Sequence, residues 1–226
     1  IVFGDWSSDV CSSDLEVAPM TLLSLETLLR HDILSGLLLG KPIPELEIKI
    51  LRPHPGPLVL NKNEKISDYT LPTGEIGELI VSGPNVLGGY LNSPEAEALN
   101  KIKEQGRIWH RTGDAASFTD EGNLLFLGRL GQGIELGQKI FYPLPLELKL
   151  QEIPGIRYSS LLSKEGLLRL CLEIEDSRDK QKLETSLKDL LSPYPLPPYK
   201  IHYFSELPKD PRHRSRIDYQ KLSSLL

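Results

Sequence analysis

The segment Ile108-Trp-His-Arg-Thr-Gly-Asp114, with the residues that follow it to Leu130, constrains this chain more than any other stretch. Gly113 is expected to let the backbone turn tightly, and Asp114 to leave that turn with its carboxylate available. Phe118 to Gly128 reads as a β-hairpin. Asp120-Glu-Gly-Asn123 supplies the turn, and Leu124 to Leu127 form a nearly all-apolar strand. Arg129 follows Gly128, where that strand ends. A carboxylate at one end of a hairpin and a guanidinium at the other make a polar pair suited to a cleft. The carboxylate can accept from two neighbouring hydroxyls, and the guanidinium can grip a phosphate or ribose oxygen through its fork. A solvated surface turn is the rival reading of the same residues.

With 226 residues the chain has room for one large domain or two small ones and for a substantial core. Its 39% apolar and 25% charged content fits a soluble globular protein. No apolar run approaches the roughly 20 residues of a membrane span. The formal net charge of -5 argues against a general nucleic-acid binder. Cys11 and Cys171 lie far apart in sequence, with neither disulfide nor metal spacing, so a reducing cytoplasm is the default expectation.

Gly4 to Leu15 has no amphipathic period and resembles the conceptual translation of a short-read sequencing adapter. Residues 1–15 are therefore read as a sequencing-adapter artefact, and the natural chain is expected to begin upstream of Glu16. A flexible Ser/Asp-rich arm is the other reading of this segment. Beyond it, Leu22 to Leu39 has helix-compatible spacing broken by Gly36 and then by Gly40-Lys-Pro42. Leu46 to Leu51 alternates as a half-buried strand does, and 61–72 is read as an exposed loop. Gly74 to Gly83 holds a strand. Ser93-Pro-Glu-Ala-Glu97 starts a helix expected to run toward Gly106.

After Arg129 the texture changes at Leu130-Gly-Gln-Gly133, which marks a domain boundary. Pro143 to Ile153 reads as a helix and Leu167 to Glu175 as a strand. Ser177 to Leu191 reads as an amphipathic helix with Leu183, Leu187, Leu190 and Leu191 inward. Tyr199 to Phe204 returns as a strand, and a short helix closes the chain. Trp109, Tyr90 and Phe126 are read as core aromatics; His31, His54 and His202 have no partner pattern.

Four stretches fall in the order seen in the AMP-forming adenylating enzymes, the superfamily of acyl-CoA synthetases, luciferases and peptide-synthetase adenylation domains. They are Gly74-Glu-Ile-Gly-Glu-Leu79 with Gly89-Tyr-Leu-Asn-Ser-Pro-Glu95, then His110-Arg-Thr-Gly-Asp114, then Gly122-Asn-Leu-Leu-Phe-Leu-Gly-Arg129, and finally Pro208 to Ile217. Ile108-Trp-His-Arg111, Pro145 to Glu147 and Asp210-Pro-Arg-His-Arg-Ser-Arg216 are further similar to the branch of fatty-acid–CoA ligase-like β-lactone synthetases of olefin biosynthesis. Arg212-His213 is the most telling pair of that branch.

The resemblance implies an α/β parent enzyme. Residues 16–130 would be the β-rich end of its large AMP-binding domain, and 131–226 a small α+β C-terminal lid. It implies ATP and Mg2+ as cofactors, CoA as one candidate acceptor, and a fatty or β-hydroxy fatty acid as the hydrophobic carboxylic acid substrate. Olefin-pathway enzymes are the partners it suggests. Asp114 would hold the ribose hydroxyls, Arg129 the ribose and phosphates, and Glu16 would help hold Mg2+. Gly131 would be the hinge. Arg216 stands where the family carries its catalytic lysine, whose task is to offset charge as carboxylate oxygen attacks the α-phosphorus. Arginine keeps the charge without the compact ammonium, which opens a second reading: a non-catalytic acyl- or nucleotide-binding module. The family's Ser/Thr/Gly-rich phosphate loop has no counterpart in this sequence, so the 226 residues alone are expected to be inactive. The glycine-rich segment that accompanies CoA ligation is poorly matched in Gly133 to Ile140, which favours the lactone-type branch.

Overall fold

The computed structural model describes residues 20–175, 180–194, 196–210 and 217–226. The stretch 1–15, Glu16 and the Arg212-to-Arg216 run therefore lie outside the described residues. The chain divides into two compact units. One holds residues up to Asp32 and Gly36–Gly131, the other Ile33–Ser35 and Gln132–Leu226.

The first unit is almost entirely sheet. Its strands are β1 (Thr21–Leu22), β2 (Leu37–Pro42), β3 (Glu47–Leu51) and β4 (Gly77–Ser82), followed by β5 (Lys101–Glu104), β6 (Arg107–Phe118) and β7 (Leu124–Arg129). Hydrogen bonding runs in the order β1-β2-β7-β6-β4-β3, with β5 paired to the near end of β6, and every pairing is antiparallel. Every residue of β4 is buried, because both faces of this part of the sheet are covered. On one face Leu79 and Val81 pack with Met20, Leu46, Ile48, Ile50, Ala116 and Leu124. On the other, Ile80 packs with Leu51, Leu58, Ile66, Ile102 and Trp109. Each such aliphatic side chain contributes about 1.5–3 kcal/mol by leaving water. Trp109 is wholly buried, and its indole N–H donates to Glu104 Oε2 at 2.9 Å, so its polar edge is satisfied as well.

Several local expectations change here. The helix expected over Leu22 to Leu39 is confined to α1 (Leu25–Leu29), capped by the Ser24 hydroxyl. Leu37–Pro42, including the supposed break at Gly40-Lys-Pro42, is instead β2 in register with β7. A short apolar run fits a buried helix and a strand equally well, and only the partner strand decides. The expected loop 61–72 contains a 3-10 turn, Ile66–Asp68, that sends Ile66 into the core. Helix α2 (Pro94–Asn100) begins at the expected proline, although the Ser93 side chain does not cap it, and it stops well before Gly106. The residues beyond form the β5–β6 hairpin. Gln105 and Gly106 both have positive φ there, as a two-residue turn requires.

The second unit contains the hairpin β8 (Ile134–Leu136) and β9 (Lys139–Phe141), then α3 (Leu144–Gln151). Next come β10 (Ile156–Lys164), β11 (Leu167–Ile174), α4 (Lys180–Leu191), β12 (Tyr199–Phe204) and α5 (Tyr219–Ser224). Strand β11 is central, antiparallel to β10 and parallel to β12. One face of this sheet packs Leu161, Leu170 and Leu172 against Leu146 and Leu150 of α3 and Leu183, Leu187 and Leu191 of α4. The opposite face packs Leu162 and Cys171 against Leu207 and Leu222. Strand β10 was not anticipated, because Tyr158-Ser-Ser160 breaks the apolar pattern. Ser159 and Ser160 are nonetheless buried. Across both units this is a β-rich part followed by a small α+β part, as expected. No helix among the described residues is long and apolar enough to cross a membrane.

Candidate functional site

Asp114 and Arg129 are cross-strand partners in the β6–β7 ladder. Two irregularities bring them opposite one another. On the β4 side, Glu78 pairs with Ala115 while Ile80 pairs with Arg111, so Thr112, Gly113 and Asp114 bulge out of the ladder opposite Leu79. Gly113 has φ +73°, a left-handed conformation that suits glycine. On the β7 side the register shifts between Ala115 and Ala116, where Gly128 has φ +122°. The Thr-Gly-Asp segment is therefore a bulge inside one twelve-residue strand and not the free turn expected from the sequence.

The bulge is held by its own polar groups. The Thr112 hydroxyl donates to the Leu79 carbonyl at 3.0 Å and accepts from the Asp114 amide at 3.1 Å. The Gly113 amide donates to Glu78 Oε1 at 3.3 Å. Arg129 Nη1 lies 2.9 Å from Asp114 Oδ1 and also donates to the Thr112 carbonyl at 2.9 Å. The Asp114 side chain is 4% exposed and that of Arg129 36%, so the pair is an anchored acid with a cation reaching outward. A buried carboxylate that is already charge-paired stays a strong acceptor, and an ionised carboxyl offers about four lone-pair positions. Such a group can hold Arg129 and two neighbouring hydroxyls together.

Among the residues singled out from sequence, the structure brings Asp114 and Arg129 into direct contact. Gly131 lies two residues beyond Arg129 in the 3-10 turn Leu130–Gln132, and the division between the units falls directly after it. Glu16 and Arg216 lie outside the described residues. Among the described residues no group of three or more His, Cys, Asp or Glu side chains converges as a metal site.

Sequence reasoning missed Glu78 and Arg111, which form a buried ion pair beneath the bulge with Nη2 and Oε2 2.6 Å apart. The one signal available was Glu78, the single charged residue in the otherwise apolar run Gly77–Ser82. It also missed a polar cluster in the second unit. There Glu147 of α3 is buried and accepts from the Leu161 amide at 2.6 Å. Burial raises the Glu147 pKa to about 7, against the opposing pull of the Leu161 amide, Ser160 and Tyr219. Burial, followed by the charge of Glu147, pushes the Cys171 thiol up to about 12 and raises the Tyr219 phenol as well. A third missed feature is Glu173 of β11, which is buried. It pairs with Lys209 at 3.3 Å and accepts from the Leu207 amide.

No family model matches the chain. It is 33% identical over 172 residues to a D-alanine–D-alanyl carrier protein ligase of Streptococcus agalactiae, covering 69% of this chain and 33% of that protein. It is 27% identical over 202 residues to the olefin β-lactone synthetase of Stenotrophomonas maltophilia, covering 84% of this chain and 36% of that protein. Among solved structures, the o-succinylbenzoate CoA synthetase of Bacillus subtilis in complex with its acyl-adenylate intermediate superposes with a TM-score of 0.64 at 25% identity. That match covers 88% of this chain and 38% of the synthetase. The chain thus spans about a third of the length of each of these relatives.

Proposed function

By homology the chain belongs to the adenylate-forming, AMP-binding ligases, of which it is a C-terminal region, and from that premise we propose that its parent protein uses ATP to activate a hydrophobic carboxylic acid. The observation that carries this reading is the Asp114–Arg129 pair, a buried acid and a half-exposed cation fixed opposite each other by two strand irregularities.

In this account the ribose 2′- and 3′-hydroxyls donate to the Asp114 carboxylate. Arg129, oriented by that carboxylate and by the Thr112 carbonyl, donates to a ribose or phosphate oxygen. The substrate carboxylate oxygen attacks the α-phosphorus, forming the acyl–phosphate bond as the bond to pyrophosphate breaks. Arg216 offsets the developing charge. The acyl-adenylate is then captured by the substrate's own β-hydroxyl or by CoA, with release of AMP. A fatty or β-hydroxy fatty acid is the substrate class, supported by the match to an olefin β-lactone synthetase over 84% of the chain. Glu16 is assigned to Mg2+ from the family resemblance. Among the described residues no cluster of His, Cys, Asp or Glu adds to that assignment. Residues 16–130 act as the nucleotide-holding part and 131–226 as the lid, with Gly131 as the point of rotation between half-reactions.

The test is acid-dependent ATP–pyrophosphate exchange by the parent protein across a panel of fatty and β-hydroxy fatty acids. The reading expects exchange with at least one of them and none from the 226-residue chain alone. Exchange by the isolated chain, or none by the parent with any acid, would contradict it.

A further inference from the structure

The Arg111 guanidinium is saturated, and what it binds points in three directions. Nε and Nη2 donate to the same oxygen of Glu78, at 2.9 and 2.6 Å. Nη2 also donates to the His54 carbonyl at 2.8 Å. Nη1 donates to the Gly56 carbonyl at 2.6 Å and to that of Leu99 at 3.4 Å. The five N–H groups of the fork thus serve a carboxylate, the proline-rich loop Pro53–Pro57 and the end of α2. The Arg111 and Glu78 side chains are 10% and 3% exposed. The second oxygen of Glu78 receives the Gly113 amide, directly beside Asp114.

A buried ion pair is a poor device for stability alone, since well-packed apolar residues of the same volume generally serve as well. Its use here is geometric. The bulge at Thr112 to Asp114 has left the β4 ladder, so its backbone lacks the repeating hydrogen bonds that hold a strand in register. The Glu78 carboxylate replaces one of those acceptors, and Arg111 fixes where that carboxylate points. Two donors pin Oε2 in place, and the Gly113 amide takes Oε1, so the carboxyl group is held between Arg111 and the bulge.

We propose that Arg111 is a positioning residue. Through Glu78 it sets the Thr112–Asp114 bulge, and so holds Asp114 in the geometry that grips Arg129 and, on the reading above, the ribose. The consequence for nucleotide binding rests on that reading; the effect on the Asp114–Arg129 pair does not. The proposal also ties the exposed Pro53–Pro57 loop to the site, because its His54 and Gly56 carbonyls share the same guanidinium.

The experiment uses the isotopically labelled 226-residue chain and reads the Arg129 side-chain Nε–Hε resonance. That resonance is assigned by its loss in Arg129→Lys, and Asp114→Asn defines its unpaired position. Arg111→Lys keeps the charge and loses the fork. Glu78→Gln keeps the shape and weakens the grip, and Thr112→Val removes the hydroxyl that braces the bulge. The expected result is that Arg111→Lys and Glu78→Gln move the Arg129 resonance at least halfway to the Asp114→Asn position, while backbone amides of β2 and β3 keep their native shifts. A native Arg129 resonance in either folded variant overturns the proposal, and so does a change with Thr112→Val alone. If Arg111→Lys does not fold, Glu78→Gln decides by the same criterion. ATP titration of the parent protein separates the two claims. A displaced Arg129 signal with unchanged ATP affinity supports the positioning role and removes the nucleotide reading of Asp114.

Discussion

At the scale of single residues, the account turns on what Arg129 can do that another cation cannot. Its Nη1 serves Asp114 and the Thr112 carbonyl together, which leaves the rest of the planar fork directed by two fixed acceptors. Lysine keeps the charge but holds no such plane. Arg129→Lys in the parent protein should therefore weaken ATP binding by roughly 10-fold, the equivalent of one hydrogen bond to a charged group, with little change in melting temperature. Calorimetric titration checks this, and an unchanged affinity would show that the fork is not used. Asp114 and Arg129 were legible in the sequence because glycines and a hairpin turn bracket them, which fixes both their neighbours and their approximate spacing. Arg111 and Glu78 were not. They are 33 residues apart in sequence, and neither the single acid of β4 nor one of several charges in β6 names its partner until the ladder is known.

At the scale of elements, close approach and burial decide the outcome. Gly77 begins β4, and a Cβ there would collide with the carbonyl oxygen of Leu51 on β3. Gly77→Ala should destabilise the first unit by about 1–3 kcal/mol through backbone displacement, read as a lower midpoint in urea. A midpoint equal to wild type would mean that the β3–β4 ladder absorbs the methyl group. Glu147 gives the second unit a dependence on pH. Its folded pKa is about 7 against an ordinary 4.5, because burial disfavours the charged form, so the native state holds a proton that the unfolded chain has released. The resulting stabilisation is complete below about pH 4.5, declines as pH rises, and is gone above about 7. Its size is on the order of 3 kcal/mol. Glu147→Gln should flatten this part of the stability–pH profile, and an unchanged slope between pH 5 and 7 would contradict the assignment. The same elements show where sequence patterns fail. Strand β2 shares its leucine run with a helix pattern, and β10 carries two buried serines where a strand pattern asks for apolar residues. Strand β11 and helix α4 read correctly because their leucines repeat at one period for long enough to exclude the other.

At the scale of the whole molecule, the chain spans about a third of the carrier protein ligase and of the β-lactone synthetase that it matches, and the proposed reaction is one of a parent protein in which this region would supply the ribose grip and the lid. Gly131 needs no left-handed backbone, and a methyl group there would meet open space. Gly131→Ala should therefore leave stability within about 0.5 kcal/mol, as an unconstrained substitution does. Gly131→Pro, by fixing φ, should slow capture of the acyl-adenylate more than its formation. Equal slowing of both steps in rapid-quench experiments would remove the hinge role. The central claim is that Asp114 holds the ribose hydroxyls, and a thermodynamic cycle tests it most directly: binding of ATP and of 2′,3′-dideoxy-ATP to the parent protein, each with Asp114 and with Asp114→Asn. The account predicts that removing the hydroxyls weakens binding roughly 10- to 100-fold in the wild type and by little in the variant, because the two changes delete the same charge-assisted hydrogen bonds. An equal penalty in both proteins would contradict it.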